Sequence, residues 1–338
     1  MKTGVAFNLT TEGYVRRRDF IKGIAGSVAA WPLAARAQEA GRNYRVAGLF
    51  GASTREAPQT VALFEQVRQA GFIEGQNLTV DWRTYGTRVE LVSQFASELF
   101  KSPVDVIIVG GDPATRAAQK ATTTIPILAF TDDMVGSGFV SSLAKHGGNT
   151  TGVSLLAPEL DGKRQDILVE AVPGLRRLAA LADITTTPHH FQALQDEARK
   201  RGIELLIQSV AKADGIAPSI DAAKASDVAA LNVLASPLLF ANRQIIMERS
   251  AKLRLPAIYQ WPEVAEEGGF IGYGPRIVQL YRDIFGRQLV QLLRGAKAAD
   301  LPVEQPTKFE LVINLRTAKA IGVEVPAALV LRADKLVE

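Results

Sequence analysis

Two kinds of apolar pattern alternate along the chain at a steady pace. Short continuous runs rich in β-branched residues, such as RVAGLF over 45–50 and VDVIIV over 104–109, predict strands buried on both faces. Between them lie stretches with helical spacing: Val61, Phe64, Val67 and Ala70 share one face of a helix predicted over 57–70. Further strands are predicted over 78–82 and 126–130, and helices over 89–100, 114–122 and 136–145. The rhythm restarts after Gly152-Val153-Ser154. Helices over 160–171, 190–201, 218–225 and 239–253 then alternate with strands over 177–182, 204–210, 228–234, 257–259 and 270–273. A long amphipathic helix over 277–293, expected to return to the first half, precedes a strand over 308–314 and a helix over 315–321. Two successive cycles of this kind predict an α/β protein of two doubly wound parallel-sheet lobes.

Open parallel sheets take ligands at the carboxyl ends of their strands, so the loops there carry the candidate chemistry. The first is Gly51-Ala52-Ser53-Thr54, where backbone N–H groups and Ser53 can meet a ligand. After the third strand comes Gly110-Gly111-Asp112-Pro113-Ala114-Thr115, with glycines for close approach and proline at a helix start. The fourth gives Thr131-Asp132-Asp133-Met134, and the second half offers Asp183 and Ser236-Pro237 in equivalent places. Asp112 and Ser236 also suit helix N-caps, and Asp132-Asp133 suits a solvated turn. Convergence on strand ends favours a binding cleft. Asp132, Asp133 and Asp183 would receive an ammonium, and Gly111 and Thr115 a carboxylate, which suggests an amino-acid-like solute.

Charge changes the picture only at the beginning. The chain has 39 Lys+Arg against 35 Asp+Glu, but the surplus of four sits in residues 1–37, leaving a formally neutral remainder. The basic balance therefore gives no reason to expect a nucleic-acid partner. Residues 16–38, RRRDFIKGIAGSVAAWPLAARAQ, combine a basic start, a short apolar run and the small-x-small triplet Ala35-Arg36-Ala37. This is the plan of an export signal cut near Ala37, too short and too rich in Gly and Ala for a stable span. Arg17-Arg18-Asp19-Phe20-Ile21-Lys22 resembles the bacterial twin-arginine signal, with Arg16 where Ser or Thr is usual. No later run has 18 apolar residues, so the mature protein is expected not to span a membrane.

Several chemistries are disfavoured. There is no cysteine, hence no thiol catalysis. No nucleotide-binding glycine motif, phosphate loop or nucleophile elbow occurs. Among three histidines, His189-His190 at a helix start suits exposed caps better than a metal pair. We expect no cofactor and no metal.

The segments GFIEGQNLTVDWR (71–83), VDVIIVGGDPATRAAQKATTTIPI (104–127), GGNTTGVSLLAPELDGKR (147–164), LRLPAIYQWPEVAEEGGFIGYG (253–274) and LPVEQPTKFELVINLRTAKAIG (301–322) resemble the ABC-transporter substrate-binding proteins of the tryptophan/tyrosine-binding-protein-like group, which have the type I periplasmic-binding fold. The resemblance implies a periplasmic monomer that captures a small-molecule solute by hinge closure and delivers it to an ABC permease and its ATPase. It places Ser53, Gly111, Asp112, Thr115, Asp132 and Asp133 on the first-lobe wall, and Asp183, Ser236 and Tyr273 on the second. It also implies lobes of 42–153 plus 275–298 and 154–274 plus 299–338 after a signal over 1–37. Two pocket loops depart from the family: Thr131–Gly136 replaces a Val-Gly-Asp-Pro-Val-Gly-like loop, and 183–188 replaces an Asn-Pro loop. The relatives' ligand therefore does not transfer. A periplasmic ligand sensor and, less well supported, an exported hydrolase are the alternatives.

Overall fold

Strand formation follows burial. In β3 (Val106–Gly110) and β4 (Ile127–Thr131) every residue is buried, as for central strands covered on both faces. The computed structural model describes residues 41–338 apart from Ala52, Thr87, Lys145, His146 and Thr187; the expected signal over 1–37 lies outside them. One sheet has the order β2–β1–β3–β4–β5, with β1 (Tyr44–Phe50), β2 (Leu78–Thr84) and β5 (Thr150–Ser154), and all its pairs are parallel.

The second sheet has the order β12–β11–β10–β9–β8–β6–β7. Its strands are β6 (Arg177–Asp183), β7 (Glu204–Val210), β8 (Ala230–Val233), β9 (Ala257–Tyr259), β10 (Ile271–Gly274), β11 (Glu310–Asn314) and β12 (Lys335–Val337). Here β10 and β11 pair antiparallel and the other pairs are parallel.

The helices of the first sheet are α1 (Pro58–Gln69), α2 (Val92–Leu99) and α3 (Asp112–Ala121). Those after β5 are α4 (Ala157–Ala171), α5 (Pro188–Lys200), α6 (Ile216–Ala225), α7 (Pro237–Ala241), α8 (Arg243–Lys252) and α9 (Pro262–Glu266). A continuous helix over 277–293 consists of α10 (Ile277–Leu280), a π-helical turn (Tyr281–Gly286) and α11 (Arg287–Leu293). It packs on α1 and sends Tyr281 and Phe285 into the aromatic core of the first sheet. α12 (Leu315–Ile321) and α13 (Ala327–Arg332) close the chain. No described helix is long and apolar enough to cross a membrane.

The chain passes between the sheets three times: after β5, after β10, and between residues 304 and 310. The last is placed by two hydrogen bonds to the edge of the first sheet, Ser154 N–H to the Glu304 carbonyl at 2.9 Å and Glu304 N–H to the Gly152 carbonyl at 2.8 Å. Gly152 is required in β5. Its φ is +143°, and a Cβ there would lie 1.8 Å from the Ala129 carbonyl oxygen.

Three local patterns differ from the sequence prediction. The described residues over 136–144 form turns rather than a helix, because Asp133 Oδ1 accepts from the Val135 and Gly136 N–H groups at 3.2 and 2.9 Å and ties the chain into a tight loop. The helix predicted over 239–253 breaks at Asn242, whose side-chain amide donates to the Leu238 carbonyl at 2.8 Å while its φ moves to −109°. Strand β5, the short α9 and the terminal α13 and β12 are the elements that the pattern does not predict.

Candidate functional site

Aromatic residues at strand ends build the floor of a narrow interlobe cavity. Phe50 ends β1 and Phe130 lies near the end of β4, and Tyr281 approaches them from the helix over 277–293. The ring centroids of Phe130 and Tyr281 are 4.8 Å apart, and those of Phe50 and Tyr281 6.5 Å. Behind them Phe50 stacks on Trp82 at 4.4 Å and Phe130 meets Phe285 edge-on at 5.9 Å. Glycines make the room. A Cβ at Gly110 would sit 2.4 Å from the Phe50 ring, and one at Gly48 2.4 Å from Trp82. The opposite wall comes from the second sheet, where Trp261 and Phe240 meet edge-on at 6.1 Å and line the cavity with Gln260. Trp261 is buried, and among the described residues its indole N–H has no hydrogen-bond partner.

The polar groups are few. Ser53 Oγ accepts from the Gln59 amide at 3.1 Å and lies 3.4 Å from the Tyr281 hydroxyl. Its carbonyl accepts from the Trp82 indole at 3.0 Å, so the loop after β1 is held from both sides. Burial raises the Tyr281 phenol pKa, against the opposing effect of the Ser53 bond.

On the rim opposite, Ser236 caps α7 by accepting the Leu239 N–H at 3.3 Å and donates its own proton to Asp183. Pro237 then wedges against the first lobe: Cβ atoms at Gly51 and Gly111 would lie 3.2 and 3.1 Å from it. Gly111 has φ +87°, so both its backbone and this contact demand glycine.

The acids divide by partner. Asp132 lines the cavity, and among the described residues no donor hydrogen-bonds its carboxylate. Burial, with the negative Asp112, Asp183 and Asp161 nearby, pushes its pKa well above the ordinary range, while Arg164 pulls the other way. Asp112, at the start of α3, accepts from the Ser137 hydroxyl at 2.7 Å; burial raises its pKa although that bond and Arg116 oppose the shift. Asp133 is engaged by its own turn. Asp183 accepts from Ser236, from the Thr185 hydroxyl and from the Thr185 N–H at 2.6 Å, and faces a wider interlobe groove with Tyr85 and Pro113.

Of the residues expected at the site, Ser53, Gly111, Asp132 and Ser236 meet at the cavity. Asp112 lies just behind Gly111. Thr115 is buried in α3 and donates back to the Gly111 carbonyl at 2.9 Å. Tyr273 stacks on Phe309 at 6.4 Å and does not line the cavity. The aromatic lining from Phe50, Phe130, Phe240 and Tyr281 was not singled out from sequence. Strand-end phenylalanines beside Gly110 were the available signal.

A buried polar cluster stands behind the second wall. Arg164 and Asp161 form an ion pair with 1% and 0% side-chain exposure, and His190 Nε2 lies 3.0 Å from the other Asp161 oxygen. Arg164 also donates to the Tyr273 carbonyl at 2.9 Å, and Asn232 to the Asp161 carbonyl at 3.1 Å. Burial raises the Asp161 pKa, but Arg164 and His190 outweigh it and hold the carboxyl below its ordinary range. His190, expected as an exposed cap, is therefore buried as a partner of Asp161. Among the described residues no group of three or more His, Cys, Asp or Glu is arranged to hold a metal.

Two lobes, one sheet wholly and the other mostly parallel, meeting at a lined cavity define the periplasmic-binding-protein-like class of fold. The chain belongs to the ABC transporter substrate binding protein family, whose model matches residues 59–337. It is 25% identical over 261 residues to the tyrosine-binding protein of Clostridioides difficile, covering 75% of this chain and 73% of that one. Among solved structures, the ABC domain in complex with L-Trp from Streptococcus pneumonia superposes with a TM-score of 0.77 at 21% identity, covering 86% of this chain and all of that one. A conserved domain protein from Vibrio cholerae gives 0.80 at 22% identity, covering 87% and 100%.

Proposed function

We propose that this protein is the extracytoplasmic solute-binding component of an ABC importer, exported through its twin-arginine-like start, cleaved near Ala37 and active in the periplasm. It takes one small amino-acid-like solute between its lobes, closes by bending at the three crossing segments, and presents the closed form to a membrane permease driven by a separate ATPase. The interlobe cavity carries this reading: several rings from both lobes surround a space that Asp132 enters as a carboxylate without an internal partner. Such a cavity suits a ligand with a flat apolar body and a cationic end. Family membership supports the transport role, and the Trp and Tyr named for two relatives support an aromatic body. The wall residues are Ser53, Gly111, Asp132 and Ser236, with Asp112, Thr115 and Asp183 supporting the loops that carry them and Asp133 and Tyr273 farther back.

Calorimetric titration with a panel of aromatic and aliphatic amino acids and amines tests the reading. Saturable binding of one molecule per chain, stronger for aromatic members, is expected. No heat from any member would remove it.

A further inference from the structure

Charge is distributed unevenly in the cavity, and that inequality selects among aromatic solutes. Among the described residues lining it, Asp132 is the one charged side chain, and no lysine, arginine or histidine joins it. The cations around it are committed elsewhere: Arg243, over the outer Phe240 ring at 4.7 Å, is paired with Glu267. Arg164 is paired with Asp161 and bonded to the Tyr273 carbonyl, and Arg116 lies outside the lining with its guanidinium on the Ser137 carbonyl at 3.1 Å. The start of α3 beside Gly111 would be the natural seat for a carboxylate, but Asp112 already stands in its first turn and Pro113 removes one N–H. An anionic ligand group would therefore be desolvated beside these carboxyl groups without a cation to receive it.

Resting on the solute-binding reading above, we infer that Asp132 determines specificity by pairing with the ligand's ammonium group, and that the preferred ligand is an aromatic primary amine of net positive charge rather than a zwitterionic amino acid. Ser53, Gln260 and Ser236 supply neutral polar contacts for a ring substituent, and the aromatic walls hold the body. An amine without a carboxylate brings no second carboxyl group to a cavity lined by Asp132 and by no cation.

Calorimetry on the purified protein with matched pairs, tyramine against tyrosine and tryptamine against tryptophan, tests the inference, with the uncharged tyrosol as a third probe. At least one amine is expected to bind roughly tenfold or more tightly than its amino acid. Asp132→Asn is expected to weaken the amine by about thirtyfold or more while moving tyrosol less than about twofold. A thermal melt of the variant establishes that it is folded, and the matched pairs in the unaltered protein do not depend on it. Amino acids binding as tightly as their amines, or a folded Asn variant retaining amine affinity, would overturn the inference while leaving an amino-acid-binding transport role in place. Silence from every probe would overturn both.

Discussion

Replacing Arg164 by methionine removes the guanidinium and leaves its aliphatic volume. In the native chain Asp161 has no exposure and relies on Arg164, on His190 at 3.0 Å and, weakly, on the Ala235 N–H at 3.5 Å. Removing one partner of a buried pair typically costs about 3–5 kcal/mol, because the other charge stays desolvated. For a chain of this size each kcal/mol is worth about 2 °C of melting temperature, so the variant is expected to melt roughly 6–10 °C lower at pH 7.5. The pH dependence has a definite sign. The depressed Asp161 pKa stabilises the native fold above the unfolded value near 3.9, and this is lost as pH falls through the folded value. In the variant the largest offset to burial is gone and His190 alone remains, so the carboxyl rises and its protonation relieves the cost. The gap to the unaltered protein should therefore be largest near neutrality and narrow below about pH 5. Adding Asp161→Asn should recover at least half of the loss. Thermal and urea melts followed by circular dichroism measure both. A variant within about 2 °C of the parent at pH 7.5, or a double variant no better than the single, would show that the pair does not hold the second wall as described.

Other consequences are more local. Gly111→Ala places a side chain at φ +87°, ψ 159°, a region almost confined to glycine, and 3.1 Å from Pro237. It is expected to cost about 1–3 kcal/mol and to weaken ligand binding about tenfold by propping the lobes apart, read by melting and calorimetry; unchanged affinity in the folded variant would contradict the contact. The raised Asp132 pKa means that the empty folded protein loses stability as pH climbs from about 3.9 through the raised value, because the ionised form is disfavoured there. A permanently cationic ligand reverses this, so its affinity should rise with pH across that window and lose the dependence in Asp132→Asn. Mass spectrometry of the exported protein should find Gln38 at its N-terminus, and Lys in place of Arg17 and Arg18 should block export; an uncut chain or undiminished export would contradict the signal.

Much of the fold was legible because parallel strands buried on both faces must be continuously apolar, as in Val106–Gly110 and Ile127–Thr131. Strand β5, with the sequence TTGVS, carries no such run. Its pairing depends on partners far along the chain, among them the Leu301 carbonyl that accepts from the Thr151 hydroxyl at 3.0 Å. The glycine and hydroxyl loops of the site could be read because strand ends are fixed once the strands are. Most of its aromatic wall could not, since Phe50, Phe130, Phe240 and Tyr281 come from four separate segments and each is indistinguishable from core until the lobes meet. His190 shows the same limit: only the fold brings it to Asp161.

A crystal structure of the protein saturated with its tightest-binding aromatic amine tests the central claim most directly. Density is expected in the cavity between Phe130, Trp261 and Tyr281, with the ligand nitrogen about 3 Å from Asp132. A ligand bound outside that cavity, or one lying within it with its nitrogen turned away from Asp132, would contradict the claim.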